Sequence, residues 1–190
     1  GTTVINPGGT TGEEVWSGDG VAVGLISGTD ADNMHAIVGT QNGSIRRIAR
    51  SGGGYTAFDN IKPSTAFASL FITYFHLNQD NTNHLYYAAD GDLYRTRIAT
   101  TIDDTAVTSD SNTGWEELTG VGGATSGDIR SMATSRNDAY AGGTYSASTA
   151  GRKLYIGMSN GDVFRLDDPA YTAAATAPTD ITPGSAGSGI

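Results

Sequence analysis

Three features of the sequence predict an all-β fold built from a repeated unit. A six-residue phrase occurs at 42–47, 90–95 and 160–165, and it reads Asn or Asp, Gly, a small or acidic residue, an aliphatic residue, any residue, then Arg. The chain also has 27 glycines and only 16% charged residues, which indicates many tight turns. No window shows the apolar spacing of a helix, and self-similarity at long spacing is typical of repeat architectures.

Each unit is predicted to contain four antiparallel strands, with the Asn/Asp-Gly pair as the turn between the second and third. Asp-Gly accepts the positive φ values of a two-residue hairpin turn at little cost. The aromatic and β-branched residues of the flanking runs suit a pleated sheet. The predicted strands are 21–27, 34–39, 44–50 and 55–61 in the first unit; 67–78, 84–89, 92–99 and 114–119 in the second; and 129–135, 153–158, 162–166 and 179–182 in the third.

These units are typical of a β-propeller, whose blades are four-stranded antiparallel sheets. The approximate repeats are 20–62, 66–120 and 128–183, and 1–19 is predicted to hold the outer strand of a preceding blade. Propellers close with about four to eight blades, so three blades predict either a segment of a larger ring or copies that assemble. A β-sandwich is the alternative fold, although it does not predict the repeated phrase.

The amino-acid composition limits the classes of partner that the chain is expected to bind. The formal net charge of −9 and the pI near 4.5 argue against nucleic acid and anionic membranes, because both would repel the chain. No segment approaches the roughly 20 apolar residues of a membrane-spanning helix, so membrane insertion is not expected. Without cysteine there is neither a disulfide framework nor a thiolate metal site. Abundant Thr, Ser, Gly, Asn and Asp with little Lys predicts an extracellular or cell-surface protein.

Several stretches carry a family resemblance. The segment 95–97 is followed by a loop that ends in Ser-Asp-Ser-Asn-Thr-Gly-Trp at 109–115, and the phrases LYIGMSNGDVFRLDD and TDITP lie at 154–168 and 179–183. The loop resembles an Asp-box, and the phrases look like repeats of secreted bacterial sialidase-like and xyloglucanase-like (BNR-type) propellers. The resemblance implies a β-propeller over most of 20–183. In that family the box stabilises a turn, so the resemblance implies a fold and no particular reaction.

Glycoside hydrolases of that type need two carboxyl groups across a cleft, and Asp128, Asp138 and Asp162 are candidates. However, Asp92 and Asp162 follow a hairpin glycine, where a solvated turn carboxylate is the simpler interpretation. A sialidase resemblance also implies three arginines and a Tyr–Glu nucleophile pair. On balance we assign no catalytic residue.

Three arginines, Arg47, Arg95 and Arg165, end the three copies of the phrase and are predicted to lie at one level of successive blades. A ring of arginines around a channel would bind an anion. Third strands lie away from a propeller axis, however, so salt bridges between blades or hydrogen bonds to turns are favoured. Trp16 and Trp115 are likewise predicted to pack the outer strands of successive blades.

Oxygen-rich loops at 30–33, 103–104 and 110–112 offer ligands of the type that Ca²⁺ prefers. None has the complete Asp-x-Asp-x-Asp-Gly loop with its distant Glu, so calcium is only a weak candidate and no metal or cofactor residue is assigned. No zinc-ligand spacing relates the three histidines, His35, His76 and His84.

The sequence therefore favours a non-catalytic, secreted or surface-exposed β-propeller module that acts as a binding or structural scaffold, with protein or carbohydrate as its partner. Two alternatives stay open. One is part of a glycoside hydrolase of the xyloglucanase or sialidase type, and the other is a structural subunit that assembles with copies of itself through blade edges.

Overall fold

The computed structural model describes residues 3–4, 15–16, 20–25, 34–39, 41–52, 54–66, 70–78, 80–102, 114–135 and 152–184. These residues form short strands and one short helix, α1. The strands are β1 (Thr3–Val4), β2 (Val15–Trp16), β3 (Gly20–Leu25), β4 (Met34–Gly39), β5 (Ile45–Ser51), β6 (Gly54–Asn60), β7 (Phe75–Leu77), β8 (Leu85–Ala89), β9 (Asp92–Thr96), β10 (Glu116–Glu117), β11 (Ile129–Thr134), β12 (Lys153–Met158), β13 (Val163–Asp167) and β14 (Thr179–Asp180); α1 is Thr119–Ala124.

The strands form three four-stranded antiparallel sheets and a two-stranded sheet of β1 and β2. The first sheet is β3-β4-β5-β6, the second is β7-β8-β9-β10 and the third is β11-β12-β13-β14. In each, strands that follow one another along the chain lie side by side. The prediction of an all-β fold with antiparallel sheets is confirmed.

The three copies of the phrase form the turns between the second and third strands of the sheets. Asn42 and Gly43 have φ values of 59° and 74°, and Asp90 has a φ of 56°. In the third copy only Gly161, at 94°, has a positive φ. There the Asn160 side-chain oxygen instead accepts a hydrogen bond from the N–H two residues later, at 3.1 Å. Asn and Asp tolerate the left-handed region better than most residues, which is why they precede the glycine.

The first strand of the second sheet is shorter than predicted. Of the predicted strand 67–78, only β7 is in the ladder, and 67–69 lie outside the described residues. Residues 71–73 bond to the first sheet instead: Phe71 O accepts from Asn42 N–H at 3.1 Å, and the side-chain Oγ1 of Thr73 accepts from Gly43 N–H at 3.0 Å. Contacts with a neighbouring turn thus replace strand pairing for 71–73, whereas Tyr74 O still accepts from Ala88 N–H of β8 at 2.9 Å.

The fourth strands of the second and third sheets are also shorter than predicted. In the predicted strand 114–119 the ladder residues are those of β10, and beyond them the Leu118 N–H donates to Leu93 O at 2.7 Å. In the predicted strand 179–182 the ladder residues are those of β14, and beyond them the Ile181 N–H donates to Val163 O at 2.9 Å. In the third sheet the Thr182 side chain accepts from Val163 N–H at 2.9 Å, where a strand would have used its backbone.

Helix α1 follows β10 at a place where the chain has no helical pattern of apolar residues. Its Val121 side chain is completely buried. The N–H of Gly120 donates to Ala174 O at 2.9 Å, and a Cβ on Gly120 would overlap the carbonyl of Thr176. A contact with chain some 50 residues away therefore sets this turn of helix, and it needs glycine for the close approach.

The second sheet lies between the other two, and both of its faces are buried. Along β8, Leu85 and Tyr87 pack on the first sheet, whereas Tyr86 and Ala88 pack on the third. The alternation follows from the two-residue period of a strand. One core cluster includes Ile37, Ile45, Leu85, Tyr87 and Trp115, and the other includes Tyr86, Leu93, Leu118, Ile156 and Leu166.

Candidate functional site

In each sheet, the arginine that ends the repeated phrase belongs to a row of four residues that pair with one another across the strands. In every sheet this row contains one residue from each strand, and the arginine belongs to the third strand. The rows are Ala22, Ile37, Arg47 and Asp59 in the first sheet; His76, Tyr86, Arg95 and Glu116 in the second; and Ala133, Tyr155, Arg165 and Thr179 in the third.

Arg47 connects the first sheet to the second. Its Nη2 pairs with the carboxylate of Asp59 on β6 at 2.5 Å, and its Nη1 donates to Thr100 O at 2.8 Å. Thr100 lies in the loop that follows β9, the third strand of the second sheet. The guanidinium thus joins the fourth strand of its own sheet to a main-chain carbonyl of the next.

Arg95 repeats this arrangement one sheet further on. Its Nε and Nη2 donate to Glu116 Oε2 on β10, at 2.9 and 2.8 Å, and its Nη1 donates to Pro169 O at 2.9 Å. Pro169 lies in the loop after β13, the third strand of the third sheet. We name this arrangement the arginine bridge. The predicted hydrogen bonds to turns are present for Arg47 and Arg95, whereas their salt bridges lie within their own sheet and not between sheets.

Arg165 makes no such bridge in the described structure. It pairs with Asp167 on its own strand, with Nε 3.1 Å from Oδ1, and the residue opposite it on β14 is Thr179, which carries no charge. Its side chain is 33% exposed, compared with 9% for Arg47 and 4% for Arg95. Within the described part of the chain no sheet faces Arg165, and its side chain is only partly buried.

The neighbours of the three arginines show the same contrast. Ile37 and Tyr86, opposite Arg47 and Arg95 on the second strands, are each 1% exposed, whereas Tyr155, opposite Arg165, is 36% exposed. Two residues before each arginine, Ile45 and Leu93 are fully buried and Val163 is half-buried.

We name the surface formed by Ala133, Lys153, Tyr155, Val163, Arg165 and Asp167 the outer face of the third sheet.

Sequence reasoning missed the acidic half of the bridge. Asp59 and Glu116 stand at different distances along the chain from Arg47 and Arg95, because the loops before the fourth strands differ in length. The available signal was an acid near the end of each of the first two predicted units. Trp115, expected to pack between blades, is fully buried, and its indole N–H donates to Ile61 O next to the first sheet, at 2.6 Å.

His84 lies in a buried polar cluster between the second and third sheets. Its Nε2 is 3.5 Å from the Tyr171 hydroxyl, and the guanidinium of Arg97 lies over the Tyr171 ring, 5.1 Å from the centroid. Burial, with added repulsion from Arg152, Arg97 and Arg95, lowers the pKa of His84 to about 4. The imidazole is therefore neutral at pH 7 and adds no charge beside the arginines.

His76 belongs to the interface of the second and third sheets. Its Nε2 lies 2.9 Å from Thr134 Oγ1 and 3.2 Å from the Thr134 amide nitrogen. Burial lowers the pKa of His76 as well. The side chain of His35 lies outside the described residues. The two histidines that can be placed therefore bond between sheets.

Among the described residues, Tyr94 and Glu117 form a Tyr–Glu pair. The Tyr94 hydroxyl lies 3.4 Å from Glu117 Oε2 and 3.5 Å from Thr65 O. Burial raises the pKa of Tyr94, and the ring is almost completely inaccessible. A nucleophilic tyrosine needs the opposite shift, so this pair is suited to packing and not to attack on a sugar.

The carboxylates considered for catalysis occupy turns and sheet ends. Asp128 pairs with Arg130 at 2.8 Å, and Asp162 accepts a hydrogen bond from the Asn160 side chain at 2.7 Å. Asp92, at the start of β9, lies against Gly122 of α1. Asp138 lies outside the described residues.

The loops considered for calcium, 30–33, 103–104 and 110–112, also lie outside the part of the chain that the structure describes. Within that part, no group of three or more His, Asp or Glu residues is placed to hold a metal ion. The described residues likewise contain no helix with the length and apolar character needed to span a bilayer.

Comparison with family models, with curated proteins and with solved structures found no match to this chain. The sheets and their arginine bridges are therefore the features from which a function can be inferred.

Proposed function

We propose that this chain is a non-catalytic scaffold, secreted or at the cell surface, that acts as a binding or structural module. Its three sheets are proposed to be consecutive blades of the β-propeller type. The single observation that supports this proposal is the arginine bridge, which occurs twice with the same kinds of partner and joins the first sheet to the second and the second to the third.

The bridge favours rigid stacking. Arg95 is almost fully buried and donates three hydrogen bonds, to Glu116 and to Pro169 O, so its charge is paired and its position is fixed. Buried charge pairs are costly to form and costly to break, and they favour one arrangement over its alternatives. A module that binds through loops on a rigid framework gains from such fixed spacing between sheets.

The titratable groups near the bridges suit a scaffold better than an active site. The phenol of Tyr94 and the imidazole of His84 are held neutral, and the carboxylate of Glu116 is held by an arginine. A glycosidase instead needs one carboxyl group that protonates the leaving group and a second that is free to act as base or nucleophile.

The test is hydrolysis of aryl glycosides, including a sialoside, and of xyloglucan oligosaccharides. We expect no turnover above the buffer background for the wild-type chain or for Glu117→Gln, because Glu117 is bonded to a buried tyrosine. Turnover by the wild-type chain that Glu117→Gln abolishes would overturn the non-catalytic proposal.

A second candidate is a structural subunit that assembles with copies of itself. The outer face of the third sheet favours this function, because it exposes Tyr155 and Arg165 at positions that are buried in the other two sheets.

A further inference from the structure

We propose that the polar cluster between the second and third sheets binds a small oxyanion that carries a proton, with inorganic phosphate as the ligand. We name the group of His84, Tyr86, Arg97, Asp168 and Tyr171 the His84 cluster. This inference goes beyond the scaffold function and does not depend on it, because it concerns a ligand held between two sheets and not a partner bound at the surface.

The hydrogen bonds around His84 fix which of its ring nitrogens carries the proton. The Asn81 side-chain oxygen accepts from the N–H of Asn83 at 3.1 Å, so the Nδ2 group of Asn81, a donor, faces His84 Nε2 at 3.3 Å. Nε2 is therefore the acceptor of the neutral imidazole, and Nδ1 carries the hydrogen. This buried Nδ1–H has no acceptor among the residues that the structure describes.

Two further donors of the His84 cluster are buried without an acceptor. The hydroxyl of Tyr86 and the Nε–H of Arg97 have no hydrogen-bond partner in the described part of the chain. The Arg97 guanidinium lies over the ring of Tyr171 and forms no ion pair with any described carboxylate. Buried polar groups in folded proteins are nearly always hydrogen-bonded, so three such donors in one cluster indicate that an acceptor binds among them.

Contacts of the loop after β13 hold the His84 cluster together. The Tyr171 ring lies edge-on to His84, with the centroids 5.6 Å apart, and the N–H of Tyr171 donates to Asp168 O at 3.0 Å. Burial raises the pKa of Tyr86, and Asp168 lies close enough to Tyr86 to add to that effect. His84 and Tyr86 are 2% and 1% exposed, whereas Tyr171 is 49% exposed and reaches the surface. A cluster closed at one end in this way suits a small free ion better than a phosphate group attached to a larger molecule.

The electrostatic environment of the cluster is positive. Burial lowers the pKa of His84, and the charges that lower it further all belong to arginines, namely Arg152, Arg97 and Arg95. The formal net charge of the whole chain is −9, so three arginines around one imidazole form a local exception. A partly buried region of this sign attracts a negatively charged ligand.

Asp168 determines which anion is expected. Its Oδ1 is buried and has no hydrogen-bond donor among the described residues. A carboxylate repels a fully ionised anion such as sulfate, which has no hydrogen to offer it. Phosphate keeps at least one proton at neutral pH, so it can donate to Asp168 while its other oxygens accept from the three donors of the cluster. One ion of this kind satisfies the acceptor and the donors together.

Titration calorimetry of the full chain at pH 7 with sodium phosphate, sodium sulfate and sodium chloride, at equal ionic strength, tests the ligand. We expect saturable binding of phosphate that is roughly tenfold tighter than that of sulfate, because sulfate cannot donate to Asp168. Asn adopts the left-handed φ of 48° at this position as Asp does, and its amide can donate, so Asp168→Asn should reduce the preference to roughly threefold or less. Phosphate that does not saturate the wild-type chain, or that binds no more tightly than sulfate, would overturn the proposal.

Two variants test the location of the site. Tyr86→Phe removes one donor and keeps the buried ring, and it should weaken phosphate binding roughly tenfold. Tyr155→Phe is the matched control, because it removes a hydroxyl from an exposed ring on the outer face of the third sheet and should leave the phosphate affinity unchanged.

Arg97→Met is the second variant, and it should weaken phosphate binding at least as much as Tyr86→Phe, because it removes a charged donor. Far-ultraviolet circular dichroism in phosphate-free buffer checks that each variant is folded. A phosphate affinity that neither Tyr86→Phe nor Arg97→Met reduces would place the bound ion elsewhere and overturn the proposal. The scaffold proposal is tested separately, by the hydrolysis assay.

Discussion

The interface between the second and third sheets and the outer face of the third sheet are built from the same phrase, yet one is closed and the other open. Arg95 lies between two sheets with a carboxylate and a carbonyl as partners, whereas Arg165 pairs with its own strand at the surface. The local sequence decides the turn and the strand. The presence of a neighbouring sheet decides whether the arginine becomes a bridge.

The largest expected contrast is between Tyr86→Ala and Tyr155→Ala. Removing the buried ring of Tyr86 should lower the free energy of unfolding by about 4 kcal/mol, because it leaves a cavity between two sheets. Removing the exposed ring of Tyr155 should cost less than about 1 kcal/mol in dilute solution. Urea unfolding measures both.

Tyr86→Phe is the matched control for this contrast. The Tyr86 hydroxyl is buried and has no hydrogen-bond partner among the residues that the structure describes, so its removal should be neutral or slightly stabilising. Equal costs for the two alanine variants would show that the outer face is packed as tightly as the internal interface.

The second contrast is between Arg95→Met and Arg165→Met. The first removes the arginine that donates to Glu116 and Pro169 O at a largely buried site, and we expect a loss of about 3 kcal/mol. The second removes a partly exposed pair with Asp167, and we expect less than about 1 kcal/mol.

Arg47→Met is the control for the bridge, because it removes the same two kinds of partner one sheet earlier. It should resemble Arg95→Met. If Arg47→Met lowers the free energy of unfolding as little as Arg165→Met does, the bridge stabilises only the interface between the second and third sheets.

The third prediction concerns the loss of folding stability at acid pH. The pKa of His84 is about 4 in the folded chain, below its ordinary value of 6.5, so the unfolded chain binds the proton first as the pH falls. The stability that depends on neutral His84 is complete above pH 6.5 and is lost as the pH falls to 4. After a discount for solvent screening, we expect a loss of roughly 2 kcal/mol over this window.

Thermal unfolding between about pH 7 and pH 4 measures this loss, and His84→Gln should show a smaller change over the same window. The pKa of His76 is also lowered, so His84→Gln should reduce the pH dependence without abolishing it. An unchanged dependence would place the titrating group elsewhere.

The smallest expected contrast is between the turn at Asn160 and the turn at Asn42. Asn160→Gly removes three side-chain bonds, to Ser126 Oγ, to the Asp162 carboxylate and to the N–H of Asp162, and should cost about 1 kcal/mol. Asn42 has a φ of 59°, where glycine is unstrained, so Asn42→Gly should be neutral or gain a few tenths of a kcal/mol. Urea unfolding measures both variants. A loss of stability in Asn42→Gly with no loss in Asn160→Gly would contradict this difference between the two turns.

Much of the fold could be predicted from sequence because turn chemistry and strand composition act locally. The turn at Asp90 and the flanking strands β8 and β9 lie where the phrase predicted them. The shortened strand β7 and the helix α1 could not be predicted, since their backbones bond to distant turns and loops. Propensity has little weight where a tertiary contact fixes the backbone.

Only half of the candidate site could be predicted. The phrase identified the three arginines, but their acidic partners come from fourth strands whose position depends on loops of variable length. The difference between Arg95 and Arg165 cannot be seen in the phrase at all, because it depends on what lies opposite the sheet.

The most direct test of whether a neighbouring sheet turns the arginine into a bridge compares wild-type and Arg165→Met chains in urea at a low and a high protein concentration. If copies assemble over the outer face of the third sheet, as the second candidate function requires, the cost of Arg165→Met should be small at the low concentration and should grow at the high one, because only the assembled state uses the arginine. The same small cost at both concentrations, with a wild-type midpoint that does not change, would contradict assembly through this face.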